Sequence, residues 1–188
     1  MVDYAVSSEM LLSGQIGDQA KLCRGIADMI INIMSGSAQE TNLWGQRLGR
    51  LLRGGDVVCL MGDLGSGKTA LAQGVGLALQ VTSPLTSPTF TLIQEYSGRI
   101  GDKAIQLIHM DLYRLQQPEE VEVIGVTDYF QQDTVCLIEW PEVAQEYLPA
   151  DFLLVEIEGN GEMPRRLIFQ AEAGDWEERF RGFADCND

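Results

Sequence analysis

The chain has 188 residues, 45% of them hydrophobic, which is enough for one domain with a substantial core. Its 28 acidic residues against 13 basic ones leave a net charge of −15 at pH 7. That balance repels nucleic-acid phosphates and anionic membranes, so any work near RNA is expected to be indirect.

In chain order, residues 1–28 have weak periodicity and read as an N-terminal extension of unassigned role. They lack a basic stretch followed by an apolar core, which argues against a secretory leader. The pattern at 29–34 predicts a strand. Ser37 and Glu40 have capping-box spacing, and a helix is expected to run to about Leu52, with Leu43, Trp44, Leu48, Leu51 and Leu52 on one face.

Residues 56–61 are apolar and β-prone, and residues 70–79 are spaced like a helix. Between them, residues 62–69 read Gly-Asp-Leu-Gly-Ser-Gly-Lys-Thr, which fits the phosphate-loop pattern G-x-x-x-x-G-K-[ST] in the strand–loop–helix setting it needs. Glycines there let backbone N–H groups approach phosphate oxygens, and the following helix points its N-terminus at the same anion. Lys68 can bridge the outer phosphates, and Thr69 can offer its hydroxyl to Mg²⁺. Asp63, Leu64, Gly65, Ser66, Gly67, Lys68, Thr69 and Ala70 are the expected nucleotide contacts. No Asn-Lys-x-Asp guanine reader occurs, so ATP/ADP is favoured.

Residues 69–94 carry no charge, but Pro84, Pro88 and several polar residues argue against a membrane span. Ser87-Pro88-Thr89 reads as a turn, or as a loop that senses a γ-phosphate. Strands are expected at 90–96 and 104–110, joined as a hairpin by a turn at 98–103. Pro118, Glu119 and Glu120 mark a helix start. Further strands are expected at 134–138, 152–157 and 166–169. Residues 171–188 read as a C-terminal tail. Residues 29–170 are therefore expected to form one α/β domain of the phosphate-loop NTPase type, three layers deep, with a mostly parallel central sheet and an antiparallel hairpin.

A phosphate loop needs an acid at the end of a neighbouring strand to hold its metal. Asp111 ends one candidate strand and Glu139 another, and the pattern does not separate their roles. Arg114 and Trp140 follow them closely. Residues 118–162 hold twelve acidic residues and no Lys or Arg, either as a solvated face or as a docking surface for a basic protein. The four cysteines are widely spaced, without a Cys-x-x-Cys pair, which fits a reducing cytoplasm and no zinc site. His109 is the single histidine, which excludes multi-histidine chemistry.

Four blocks in this order resemble the bacterial TsaE (YjeE) family: the loop at 62–69, Ser-Pro-Thr-Phe-Thr-Leu at 87–92, His-Met-Asp-Leu-Tyr-Arg-Leu at 109–115, and Ile-Glu-Trp-Pro-Glu at 138–142. Gly125 with Asp128, Tyr129 and Phe130 also fits. The resemblance implies an ATPase supporting threonylcarbamoyl transfer to an adenosine beside the tRNA anticodon, acting with TsaD and TsaB. It implies Mg²⁺ held by Thr69 and Glu139, phosphates contacted by Lys68, and Asp111 needed for hydrolysis. Trp140 and Thr41 would lie near the nucleotide. Two alternatives stay open on the residues alone: a small-molecule kinase, although no Arg-rich lid is evident, and a module in which ATP only sets conformation.

Overall fold

The computed structural model describes residues 29–161, 163–171 and 175–184. The extension at 1–28, with Cys23, and also Cys186, lie outside the described residues.

Strand β1 (Met29–Ser35) leads into helix α1 (Ala38–Leu51). The capping box forms: Ser37 Oγ accepts from Glu40 N at 3.1 Å, and Gly36 N donates to Glu40 Oε2 at 2.7 Å. Strand β2 (Val57–Met61), the phosphate loop and helix α2 (Lys68–Ala78) follow. Strands β3 (Ile93–Ile100) and β4 (Lys103–Asp111) make the expected hairpin. Helix α3 (Pro118–Val123) and a 3₁₀ turn (Val126–Tyr129) precede β5 (Thr134–Glu139). A 3₁₀ segment (Pro141–Tyr147), β6 (Leu153–Glu158), β7 (Arg165–Ala171) and the short α4 (Asp175–Arg179) complete the order.

The seven strands form one sheet in the order β1-β7-β6-β2-β5-β4-β3. Its centre, β6-β2-β5-β4, is parallel, and its two flanks are antiparallel. Period-two alternation sends Val58 and Leu60 to one face and Val57, Cys59 and Met61 to the other. The first face packs under α1, α2 and α4, the second under α3 and the 3₁₀ segments, so the expected three-layer architecture holds. No helix among the described residues is long and apolar enough to cross a membrane.

Three local expectations are corrected. Leu43 is exposed, because α1 faces α2 through glycines: a Cβ on Gly45 would lie 2.1 Å from Leu71 O, and one on Gly74 2.0 Å from Asn42 O. Residues 90–92 are a turn, not strand, since Leu92 adopts φ 63° and its N–H bonds Pro88 O at 2.7 Å. Strand β3 continues through Gly98, where Arg99 N reaches Leu79 O at 2.7 Å and a Cβ on Gly98 would meet that same carbonyl. The turn shrinks to Gly101 and Asp102.

Residues read from the sequence as a tail contribute to the core. Trp176, Phe180 and Phe183 are buried with Phe169 and Trp44 in one aromatic cluster, with Phe180 and Phe183 ring centroids 4.5 Å apart.

Candidate functional site

The carboxyl ends of β2, β5 and β4 open side by side, and the site is built there. The phosphate loop leaves β2 with Gly62 at φ 135°, Gly65 at φ 79° and Gly67 at φ 114°, a conformation L side chains rarely adopt. Gly67 is the N-cap of α2, so the free N–H groups of that helix face the loop's concavity.

Lys68 is buried and bends over the loop, with Nζ donating to Gly62 O at 2.6 Å and Asp63 O at 3.0 Å. The same ammonium lies 4.2 Å from the centroid of Trp140. Burial pulls its pKa below the ordinary lysine value, and the nearby carboxylates of Glu139, Asp111, Glu142 and Asp63 partly offset this. Glu142 is in turn pushed above the usual carboxylate range by burial.

Glu139 is buried at the end of β5, within 3.4 Å of Thr69 Oγ1. Its Oε1 also meets His109 Nε2 at 2.9 Å, so a fully buried imidazole fixes the carboxylate from behind. Asp111 ends β4, pairs in register with Glu139, and is held on both oxygens. Oδ2 accepts from Thr89 Oγ1 at 2.7 Å and Ser87 Oγ at 3.1 Å, and Oδ1 accepts from Tyr113 N at 3.1 Å. The Ser-Pro-Thr turn is thereby tied to the acid. Trp140 adopts φ 57°, and its ring packs on Tyr113 with centroids 4.9 Å apart.

These groups line a single cavity of about 500 Å³: Leu64, Gly65, Gly67, Lys68, Thr69, Asp111, Glu139 and Trp140, joined by Ser87, Thr89, Tyr113, Ala38 and Arg165. The remaining expected residues sit around it. Thr41 commits its hydroxyl to Ser35 Oγ at 2.8 Å and Ser37 O at 3.0 Å, and its methyl lies 3.6 Å from where a Gly67 Cβ would be. Ser66 is buried beneath the loop, Asp63 is on its exposed side, and Ala70 O accepts from Asn42 Nδ2 of α1 at 3.2 Å. Arg114 turns outward over Phe90, 5.8 Å from its centroid. Sequence reasoning passed over the roles of Arg165 and His109 here. His109 had a legible signal, its place two residues before Asp111 on the same face of β4; Arg165 had none.

Among the described residues no three His, Cys, Asp or Glu side chains gather as a ready metal cage. The hydroxyl of Thr69 beside the carboxylate of Glu139 is an all-oxygen pair instead. Oxygen donors of this kind suit a hard divalent cation.

A glycine-rich loop between strand and helix, a lysine inside it and an acid pair on the adjacent parallel strands define a phosphate-loop α/β protein. The family model described as "Threonylcarbamoyl adenosine biosynthesis protein TsaE" matches residues 35–168, and the chain belongs to the TsaE family. The tRNA threonylcarbamoyladenosine biosynthesis protein TsaE of Bacillus subtilis is 37% identical over 139 residues, covering 74% of this chain and 84% of its own. Its namesake in Treponema pallidum is 40% identical over 134 residues, covering 69% of this chain and 96% of its own. The Haemophilus influenzae protein of that name is 47% identical over 102 residues, covering 54% and 62%. The crystal structure of Bacillus subtilis YdiB superposes with a TM-score of 0.69 at 29% identity, covering 85% of this chain and 97% of that one.

Proposed function

We propose that this protein binds and slowly hydrolyses ATP in support of tRNA threonylcarbamoyladenosine formation. It would act with TsaD and TsaB and meet tRNA only through that complex. The observation that carries the reading is the register pair Asp111–Glu139 facing Thr69 across the mouth of the phosphate loop. A binding module that never hydrolyses its nucleotide has no use for a second fixed acid there.

In this reading the N–H groups of the loop and of the first turn of α2 cradle the phosphates. Lys68 exchanges its bonds to Gly62 O and Asp63 O for phosphate oxygens. Thr69 and Glu139 would hold Mg²⁺, which neutralises charge on the phosphate oxygens. His109 keeps Glu139 pointed at Thr69. Asp111, anchored by Ser87, Thr89 and Tyr113, orients the attacking water through whichever oxygen lone pairs remain open. Trp140 and Tyr113 form an aromatic wall beside Lys68.

The cavity holds few cations for an anion of this size, so intrinsic turnover is expected to be slow. Charge supplied by a partner can add roughly 10³–10⁵ to the rate of such sites. The test is ATP hydrolysis by the full chain alone and with TsaB plus TsaD. A rise in rate on mixing supports the reading; identical rates together with no physical association would sink its partner-dependent part.

A further inference from the structure

We propose that Arg165 is a phosphate-binding residue of this cavity, donating to the phosphate groups of a nucleoside di- or triphosphate beside Gly67. The inference rests on the nucleotide reading above. It adds a cation that neither the phosphate-loop pattern nor the acid pair contains.

Arg165 opens β7 opposite Ser35 of β1 and is only 5% exposed. Its stem runs over Gly159, where a Cβ would lie 3.4 Å from Arg165 Cα and 3.8 Å from Cγ. Nη2 donates to Gly161 O at 2.6 Å, which fixes the guanidinium plane. Nε and Nη1 are buried and have no acceptor among the described residues. Buried donors are nearly always satisfied, so two open ones on one guanidinium call for an explanation.

Arg179, whose side chain is also largely covered, shows what a purely structural arginine looks like. Arg179 sits between Asp56, at 2.6 Å, and Asp175, at 3.0 Å. Arg165 has no carboxylate partner among the described residues, in a chain with more than twice as many acids as bases. Its position supplies the missing acceptor. A Cβ on Gly67 would be 3.2 Å from Arg165 Nε, so the guanidinium stands directly against the N-cap of α2. Lys68 reaches the loop at a different place, at Gly62 and under Trp140. Two cations thus approach one glycine-rich concavity at separate points, and an anion with several charged oxygens satisfies both.

The experiment is calorimetric titration of the full chain with ADP–Mg²⁺ and with pyrophosphate–Mg²⁺, alongside melting without ligand. Arg165→Met is expected to bind both ligands about 10- to 100-fold more weakly. It is also expected to melt no lower than the wild type without ligand, because an unpaired buried charge has been removed. A merely structural arginine would instead lower the melting temperature. Arg165→Lys keeps the charge but loses the planar fork and should fall between the two; it carries the test if the methionine variant does not fold. Wild-type affinity for both ligands in both variants, with Lys68→Ala losing them, overturns the inference. Failure of the wild type to bind either ligand overturns the nucleotide reading beneath it.

Discussion

Asp111 and Glu139 are register partners on adjacent parallel strands, at the carboxyl ends of β4 and β5. Each is held by a separate set of groups: Glu139 by His109 and Thr69, Asp111 by Ser87, Thr89 and the Tyr113 N–H. Two acids so close in space, with partners that do not overlap, can take different tasks. We predict that Asp111→Asn lowers ATP turnover about 10²-fold or more while leaving ADP affinity nearly unchanged. Glu139→Gln should instead raise the Mg²⁺ concentration needed for half-maximal turnover by about tenfold or more. Magnesium titrations of turnover in the two variants separate these outcomes, and an identical profile in both would refute the division.

His109 touches no part of the cavity surface, yet its Nε2 lies 2.9 Å from Glu139 Oε1. Groups behind a metal ligand commonly cost 10- to 100-fold when lost. His109→Ala is therefore expected to raise the Mg²⁺ concentration needed for half-maximal turnover, as Glu139→Gln does, by about tenfold, with ADP affinity in the absence of metal unchanged. A variant that loses metal-free ADP binding equally would point to general collapse of the site.

Trp140 holds a left-handed backbone, φ 57° and ψ 58°, at the start of the 3₁₀ segment. Any side chain pays for that conformation and glycine does not. Trp140→Gly should be about 1 kcal/mol more stable than Trp140→Ala in urea denaturation, although both lose the contacts with Lys68 and Tyr113. The opposite order would show that the backbone relaxes once the indole is gone.

Cys136 gives a pH dependence. Burial pushes its pKa up to about 12 from an ordinary value of 9.0. Below pH 9 the thiol is neutral in both folded and unfolded chains and contributes no slope. Between that point and about pH 12 only the unfolded chain loses the proton, so stability falls as pH rises, on the order of 1 kcal/mol per pH unit. Urea denaturation across the alkaline range should show this slope, reduced in Cys136→Ala.

Much of this site was legible because its signals are local. The phosphate loop, the capping box of Ser37 and Glu40 and the acids at strand ends each lie within a few residues of what defines them. The pairing of Asp111 with Glu139 needed strand order, which depends on parallel crossovers that leave no mark at either residue. Arg165 was illegible for a stronger reason: its meaning comes from Gly67, Gly159 and Gly161, and an arginine beginning a strand resembles any surface cation. Leu43 misled because α1 is built to face its neighbour with Gly45 and Gly49, and hydrophobic spacing does not count glycines as a buried face.

The glycine crossing also sets a stability prediction. A methyl at Gly74 would fall 2.0 Å from the carbonyl oxygen of Asn42, a backbone atom that no rotamer change can move. Gly74→Ala should cost about 3 kcal/mol or more, seen as a fall in melting temperature of roughly 10 °C. Gly101→Ala, with open space around it but φ 57°, should cost only about 1 kcal/mol.

Because backbone meets backbone at Gly45 and Gly74, α1 and α2 cannot move closer there without shifting main chain. The crossing therefore fixes where α1 lies against the helix whose first residues are Lys68 and Thr69, so glycines far from the cavity lining help to set the place of the loop.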